Sequence, residues 1–337
     1  MDNTTDPITW LDFLEEGLPE PRVPFKSLSL PAPTHEPAKS VNDRFGAPTE
    51  ISTTNPVLTF NAETRLLISS IHINADPATI PPRKPYFPIL LNEQSVAEAI
   101  FHNVLAPIQQ LLDYLLRGSP KHAAITAGQY MINIRAQQRT KEEATRCDHC
   151  IVLEHVYGLP RGRAPERLVL WDSLEEFKRK FTEFEAAVQN QTDVPKDPGP
   201  PRLVLCVIEE KLLKKPHIVR NEAWVAEYFA LIDFSNLFAN VQKMIPQIIN
   251  HSWEMKCPYV FLTDYVETLA FRVRDYGIRQ STQTGSMIFR AAAPRLDKEQ
   301  TILGWRDRPR FAITLVCLHQ LVEAGIIALP SIDMDSD

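Results

Sequence analysis

The segment LVLCVIEEK, residues 203–211, constrains the fold more than any other stretch of this chain. Its first six residues are apolar and strand-favouring and read as a buried strand, which stops abruptly at Glu209, Glu210 and Lys211. A strand that ends on three charges either runs out into solvent or delivers a carboxylate and an ammonium to a site. Side chains alternate along a strand, so Leu203, Leu205, Val207, Glu209 and Lys211 share one face. Val204, Cys206, Ile208 and Glu210 share the other. Glu209 and Lys211 therefore project together at the edge of the core.

Around this strand the hydrophobic periodicity predicts a mixed α/β arrangement. SVAEAIFHNVLAPIQQLLDYLL carries Val96, Ile100, Val104, Ile108, Leu111, Leu112 and Leu115 at helical spacing. Ser95 and Glu98 form a capping box at its start, and Pro107 should kink or divide it. HCIVLEHVYG reads as a strand, and a second helix starts at Ser173, capped with Glu176. NQTDVPKDPGPP is a loop leading into the strand at 203. NEAWVAEYFALIDFSNLFANVQKMIPQIINHSW is helical with a break near Pro246. PYVFLTD and ETLAFRVRD form a strand pair turning around Tyr265 and Val266, and RFAITLVCLHQLVEAGI closes the domain as a buried helix.

Residues 1–85 differ in character from the remainder of the chain. They hold nearly half of the 28 prolines, and proline at this density removes backbone donors and blocks regular elements. The region reads as a flexible, disordered Pro-rich arm, with residues 86–330 as the folded domain. Within the arm, ITWLDFLEEGL places Trp10, Phe13 and Leu14 on one face of a short helix, a candidate docking peptide for a protein partner.

Composition excludes several classes. No apolar run approaches the roughly 20 residues that span a bilayer. The acidic start, MDNTTDPITWLDFLEEGL, has no basic region followed by an apolar one, so the expected location is intracellular, nucleus or cytoplasm. The five scattered cysteines read as reduced thiols, and Cys147-x-x-Cys150 lacks the second pair that a structural zinc site needs. The net charge of −6 is unevenly spread. From Arg135 to Arg220 there are 16 basic and 14 acidic residues, a balance of +2 that leaves −8 for the remainder and permits a local basic groove. G-x-S-x-G, P-loop and dinucleotide-binding signatures are absent.

The chemistry points to the strand end. A carboxylate there can ligate a hard divalent cation, with water and substrate phosphate in the remaining positions. A neighbouring lysine can hold the attacking water or neutralise charge on a phosphoryl group. A second carboxylate must come from a neighbouring strand. Asp148, at the mouth of the strand 149–157, supplies one, and Asp172 in LVLWDS is its rival.

Asp148 ahead of one strand, with Glu209-Glu210-Lys211 ending the next, resembles the PD-(D/E)XK, or restriction-endonuclease-like, nuclease superfamily. The order of elements is similar too: a helix carrying Glu98, two strands bearing the acidic residues, then a helix with Gln242 and Gln247. CPYVFLTDYVETLAFRVRD resembles the late strand pair of many members. The similarity covers roughly residues 90–290. Cys147 stands at the position of the motif's proline, and the spacing from Asp148 to Glu209 requires residues 159–201 to be an insertion between paired strands. The resemblance implies a restriction-endonuclease-like mixed sheet flanked by helices, with Asp148 and Glu209 as ligands of Mg²⁺ or Mn²⁺. It also implies Lys211 as the helper in phosphodiester hydrolysis, Glu98 as an accessory acid, and DNA or RNA as substrate.

Lys214, Lys215, His217 and Arg220 follow the motif and are candidate phosphate contacts. Arg161, Arg163 and Arg167 could form a second such edge. His149, His155 and His251 match no metal-ligand spacing and read as hydrogen-bonded structural residues. Two functions are expected to compete: a metal-dependent nuclease, and an inactive relative serving as a binding or regulatory module.

Overall fold

The structure, a computed structural model, describes residues 9–19, 93–118, 122–139, 146–156, 172–190, 200–210, 254–263, 268–274, 279–281, 287–289, 292–296 and 309–328, with Pro88, Ile248, His251, Ser252 and Tyr265. Helix α1 (Trp10–Glu15) is followed by α2 (Glu93–Ile100), a π-helical turn (Phe101–Leu105) and α3 (Ala106–Arg117). The break expected at Pro107 takes the form of that π turn. Proline has no N–H, and its ring crowds the carbonyl four residues back, here that of Asn103. The backbone widens so that the Ala106 N–H donates to the Phe101 carbonyl. The Asn103 carbonyl instead accepts the Arg310 Nε–H at 2.7 Å. Helix α2 begins at Glu93, ahead of Ser95, so the expected Ser95 cap lies inside its first turn.

A short helix α4 (Ala123–Thr126) leads into the strands β1 (Tyr130–Arg139) and β2 (Arg146–His155). Helix α5 (Leu174–Gln189) starts where the sequence suggests, with Ser173 Oγ accepting from the Glu176 N–H at 3.3 Å. The Glu176 carboxylate pairs with Lys180 and Lys256 instead of closing a capping box. Then come β3 (Leu203–Glu210), β4 (Tyr259–Thr263), β5 (Thr268–Arg274), β6 (Arg279–Ser281), β7 (Met287–Phe289), β8 (Ala292–Leu296) and helix α6 (Pro309–Glu323). The fold is a mixed α/β one. Six strands form one sheet in the order β1-β2-β3-β4-β5-β8, and β6 and β7 pair separately.

Neighbours in the large sheet are antiparallel except β3 and β4, which are parallel. Parallel neighbours need a crossover, so the chain after β3 must return to the end where β3 began before entering β4. The corresponding ends of β3 and β4 therefore lie together. Strands β2 and β3 pair directly despite the long segment between them, with His149 opposite Ile208 and Cys150 opposite Val207.

Strand β3 is buried along its whole length, as befits a central strand covered on both faces. Cys206 Sγ lies 3.7 Å from Cys317 Sγ of α6, which places α6 on the face shared by Cys206, Ile208 and Glu210. The aromatic side of α5 packs against the start of β1. Phe181 and Phe184 meet Tyr130 edge-on at 5.2 and 5.5 Å between ring centroids.

Trp10, Phe13 and Leu14 are all buried, so α1 is part of the core. Arg310 of α6 fixes it, donating from Nη1 to the Phe13 carbonyl at 2.8 Å with its guanidinium 4.4 Å from the Phe13 ring centre. The Tyr265 hydroxyl donates to the Pro19 carbonyl at 2.9 Å and accepts from Asn103 Nδ2 at 2.8 Å. No helix among the described residues is long and apolar enough to cross a membrane.

Candidate functional site at the end of strand β3

The charged end of β3 does not run out into solvent. Glu209 and Glu210 are each only 1% exposed. Burying a carboxylate is costly unless a partner compensates, and here each faces a histidine. Strand alternation sends the two glutamates to opposite faces. Glu209 Oε2 lies 3.0 Å from His251 Nε2. Glu210 Oε1 forms a buried hydrogen bond of 2.7 Å with His149 Nδ1, the carboxylate accepting. The Phe101 ring of the π turn lies against His149, its centroid 6.2 Å away.

Asp148 sits inside β2, whose first residue is Arg146, rather than ahead of the strand. One step outward from the paired His149 and Ile208, the register brings Asp148 beside Glu209, so the two share a face. The Asp148 carboxylate is held from across the ladder: its Oδ2 accepts the Glu210 N–H at 2.8 Å. Both acids belong to the crowded corner that also contains Cys147. The Cys147 thiol is pushed well up, first by its hydrogen bond with Cys150, then by burial, and further by the nearby Glu209 and Asp148 charges.

Asp172 occupies another place. It precedes α5, pairs with Lys180 Nζ, and accepts the Arg202 N–H at 3.0 Å. Arg202 stands at the opposite end of β3 from Glu209, seven residues or roughly 23 Å along the strand. Asp148 is thus the aspartate that adjoins Glu209. Glu98 is exposed on α2, where it accepts from Gln94 Nε2 at 3.2 Å. Lys211, Lys214, Lys215, His217 and Arg220 lie outside the described residues, as do Arg161, Arg163, Arg167, Gln242 and Gln247.

From the sequence, the histidines read as structural. His149 does have the expected hydrogen bond, and it and His251 stand at the site, each against a strand-end glutamate. Nothing in their spacing signals this, because His251 reaches Glu209 only through the parallel crossover. His155 lies elsewhere, packed edge-on against Tyr130 and Phe184 at 5.6 and 5.4 Å.

No family model, curated protein or solved structure matches this chain. Among the described residues, no group of three or more His, Cys, Asp and Glu side chains could by itself hold a metal ion. Two carboxylates, those of Asp148 and Glu209, stand at the strand end. Ions such as Mg²⁺ and Mn²⁺ keep several waters and take one or two protein oxygens rather than a full protein cage.

Proposed function

We propose that this chain is a metal-dependent phosphodiester hydrolase of restriction-endonuclease-like fold, acting on nucleic acid. The observation that carries the reading is the pairing of Asp148 and Glu209: two acids from adjacent antiparallel strands, side by side on one face at the same sheet end. Asp148 and Glu209 would hold Mg²⁺ or Mn²⁺, and the bound ion would supply an activated water and neutralise charge developing on the phosphoryl group. Lys211, one residue beyond the described end of β3, would orient the water or stabilise the departing charge. The element order also supports the reading: a helix carrying Glu98, two strands bearing the acids, and a crossover into a parallel neighbour. Lys214, Lys215 and Arg220 would contact phosphates, and Glu98 would be an accessory acid.

A second reading has its own support. Glu209 is almost wholly buried beside His251, which favours a nuclease-like module that binds or regulates rather than cuts. Cleavage of labelled single- and double-stranded DNA and RNA with Mg²⁺ or Mn²⁺ separates the two, run beside Glu209→Ala and Lys211→Ala. Metal-dependent cutting that disappears in both variants supports the hydrolase. A folded wild-type protein that cuts none of the substrates supports the binding module instead.

A further inference from the structure

We infer that Glu210 and His149 are a positioning pair that sets the Asp148 and Glu209 carboxylates for a shared divalent cation, an inference that rests on the hydrolase reading above. Two adjacent glutamates make the strand end degenerate. A slip of one residue between β2 and β3 would turn Glu209 away from the Asp148 face and bring Glu210 there in its place. Register at this point must therefore be fixed by something other than residue type.

Glu210 supplies that selection from both its backbone and its side chain. Its N–H donates to Asp148 Oδ2 at 2.8 Å, which fixes the aspartate from across the ladder. Its side chain turns to the opposite face and accepts from His149 Nδ1 at 2.7 Å, between residues 1% and 8% exposed. His149 is the ladder partner of Ile208, two residues before Glu210, so this bond runs diagonally and ties the end of β3 to β2. The Phe101 ring of the π turn packs beside His149. On the other face Glu209 has His251 at 3.0 Å. Each glutamate thus has a histidine on its own side, and the Glu210–His149 bond is the one that ties the strand end to β2. Glu210 itself points away from the cation and acts only through Asp148 and the strand register.

The test is calorimetric titration of the full chain with Mn²⁺, with circular dichroism to confirm folding. The variants are Glu210→Gln, Glu210→Ala, Glu209→Gln and the double replacement Glu210→Leu with His149→Leu. Glu210→Gln keeps an acceptor for His149 Nδ1 and should bind Mn²⁺ within about threefold of wild type. Glu210→Ala keeps the backbone donor but loses the cross-strand tie, and should weaken binding by about 10- to 100-fold, the usual range for groups that orient metal ligands. The double variant exchanges a buried polar pair for apolar side chains, a change that commonly preserves folding, and should weaken binding to the same degree. It decides the matter if Glu210→Ala does not fold. Wild-type affinity in either folded variant would show that Glu210 is merely structural and overturn the inference, while loss of binding in Glu209→Gln would leave the hydrolase reading standing. A wild-type chain that takes up no Mn²⁺ would overturn both.

Discussion

The Arg310 Nε–H donates to the carbonyl of Asn103 at 2.7 Å, at the turn where Pro107 has removed that carbonyl's helical partner. The same guanidinium holds the Phe13 carbonyl at 2.8 Å and lies over the Phe13 ring. One buried side chain therefore repairs a break in the helical path and fastens α1 to α6.

Arg310→Leu should accordingly be severe. It strips hydrogen bonds from two buried carbonyls and removes a cation–π contact, losses of about 1–3 kcal/mol for each buried group left unsatisfied. Urea denaturation should show a loss of about 3 kcal/mol or more, and limited proteolysis should cut first between α1 and α2. Arg310→Lys should recover only part of this, since a single ammonium cannot match the planar fork.

Tyr265 is held with φ at +76°, a left-handed conformation that a non-glycine residue adopts only when its surroundings impose it. Its hydroxyl joins Asn103 to Pro19, and its N–H donates to Thr263 Oγ1 at 3.1 Å. Tyr265→Phe keeps the backbone strain and loses the hydroxyl bridge. Thermal unfolding should show a destabilisation of about 1–3 kcal/mol; a change below a few tenths would mean that the bridge contributes nothing.

All five cysteines are buried, and none forms a disulfide. Burial is the first cause raising the Cys206 and Cys257 thiols, and the hydrogen bond with Cys150 is the first raising Cys147. Thiolate is the reactive form, so a disulfide reagent at neutral pH should leave these three unmodified in the native protein and label all five after denaturation. Rapid native labelling at Cys206 would contradict the packing of β3 against α6.

His155 gives a pH signature. Burial between Tyr130 and Phe184 lowers its folded-state pKa below the ordinary value of about 6.5. The unfolded chain then takes up a proton that the folded chain resists, so stability present above pH ~6.5 is lost as the pH falls through and below that value. Denaturation midpoints measured between pH 7 and 5 should decline in the wild type and decline less in His155→Phe. Equal slopes would remove His155 from the explanation.

Much of this is legible in the sequence, for identifiable reasons. The strand at 203, the helix capped by Ser173 and the hairpin around Tyr265 all carry strong local signals, and the structure has each of them. Trp10, Phe13 and Leu14 do lie on one face of a short helix, which packs into the chain's own core. Strand β1 escapes a sequence reading although Tyr130, Ile132 and Ile134 alternate with Met131, Asn133 and Arg135, because Asn133 and Arg135 suggest a surface. They bind the buried Glu154 instead, Asn133 Nδ2 at 2.7 Å and Arg135 beside it. At the site, Asp148 and Glu209 can be named from residue type and strand alternation. The histidines facing Glu209 and Glu210 cannot, since their placement depends on register and crossover, which no local pattern encodes.

The most direct measurement is a Mn²⁺ titration followed by electron paramagnetic resonance, comparing wild type with Asp148→Asn, Glu209→Gln and Asp172→Asn. If Asp148 and Glu209 share a cation, wild type and Asp172→Asn should bind the ion and the other two variants should lose it. Binding that survives Asp148→Asn and Glu209→Gln, or disappears with Asp172→Asn in a folded protein, would contradict the assignment of the site.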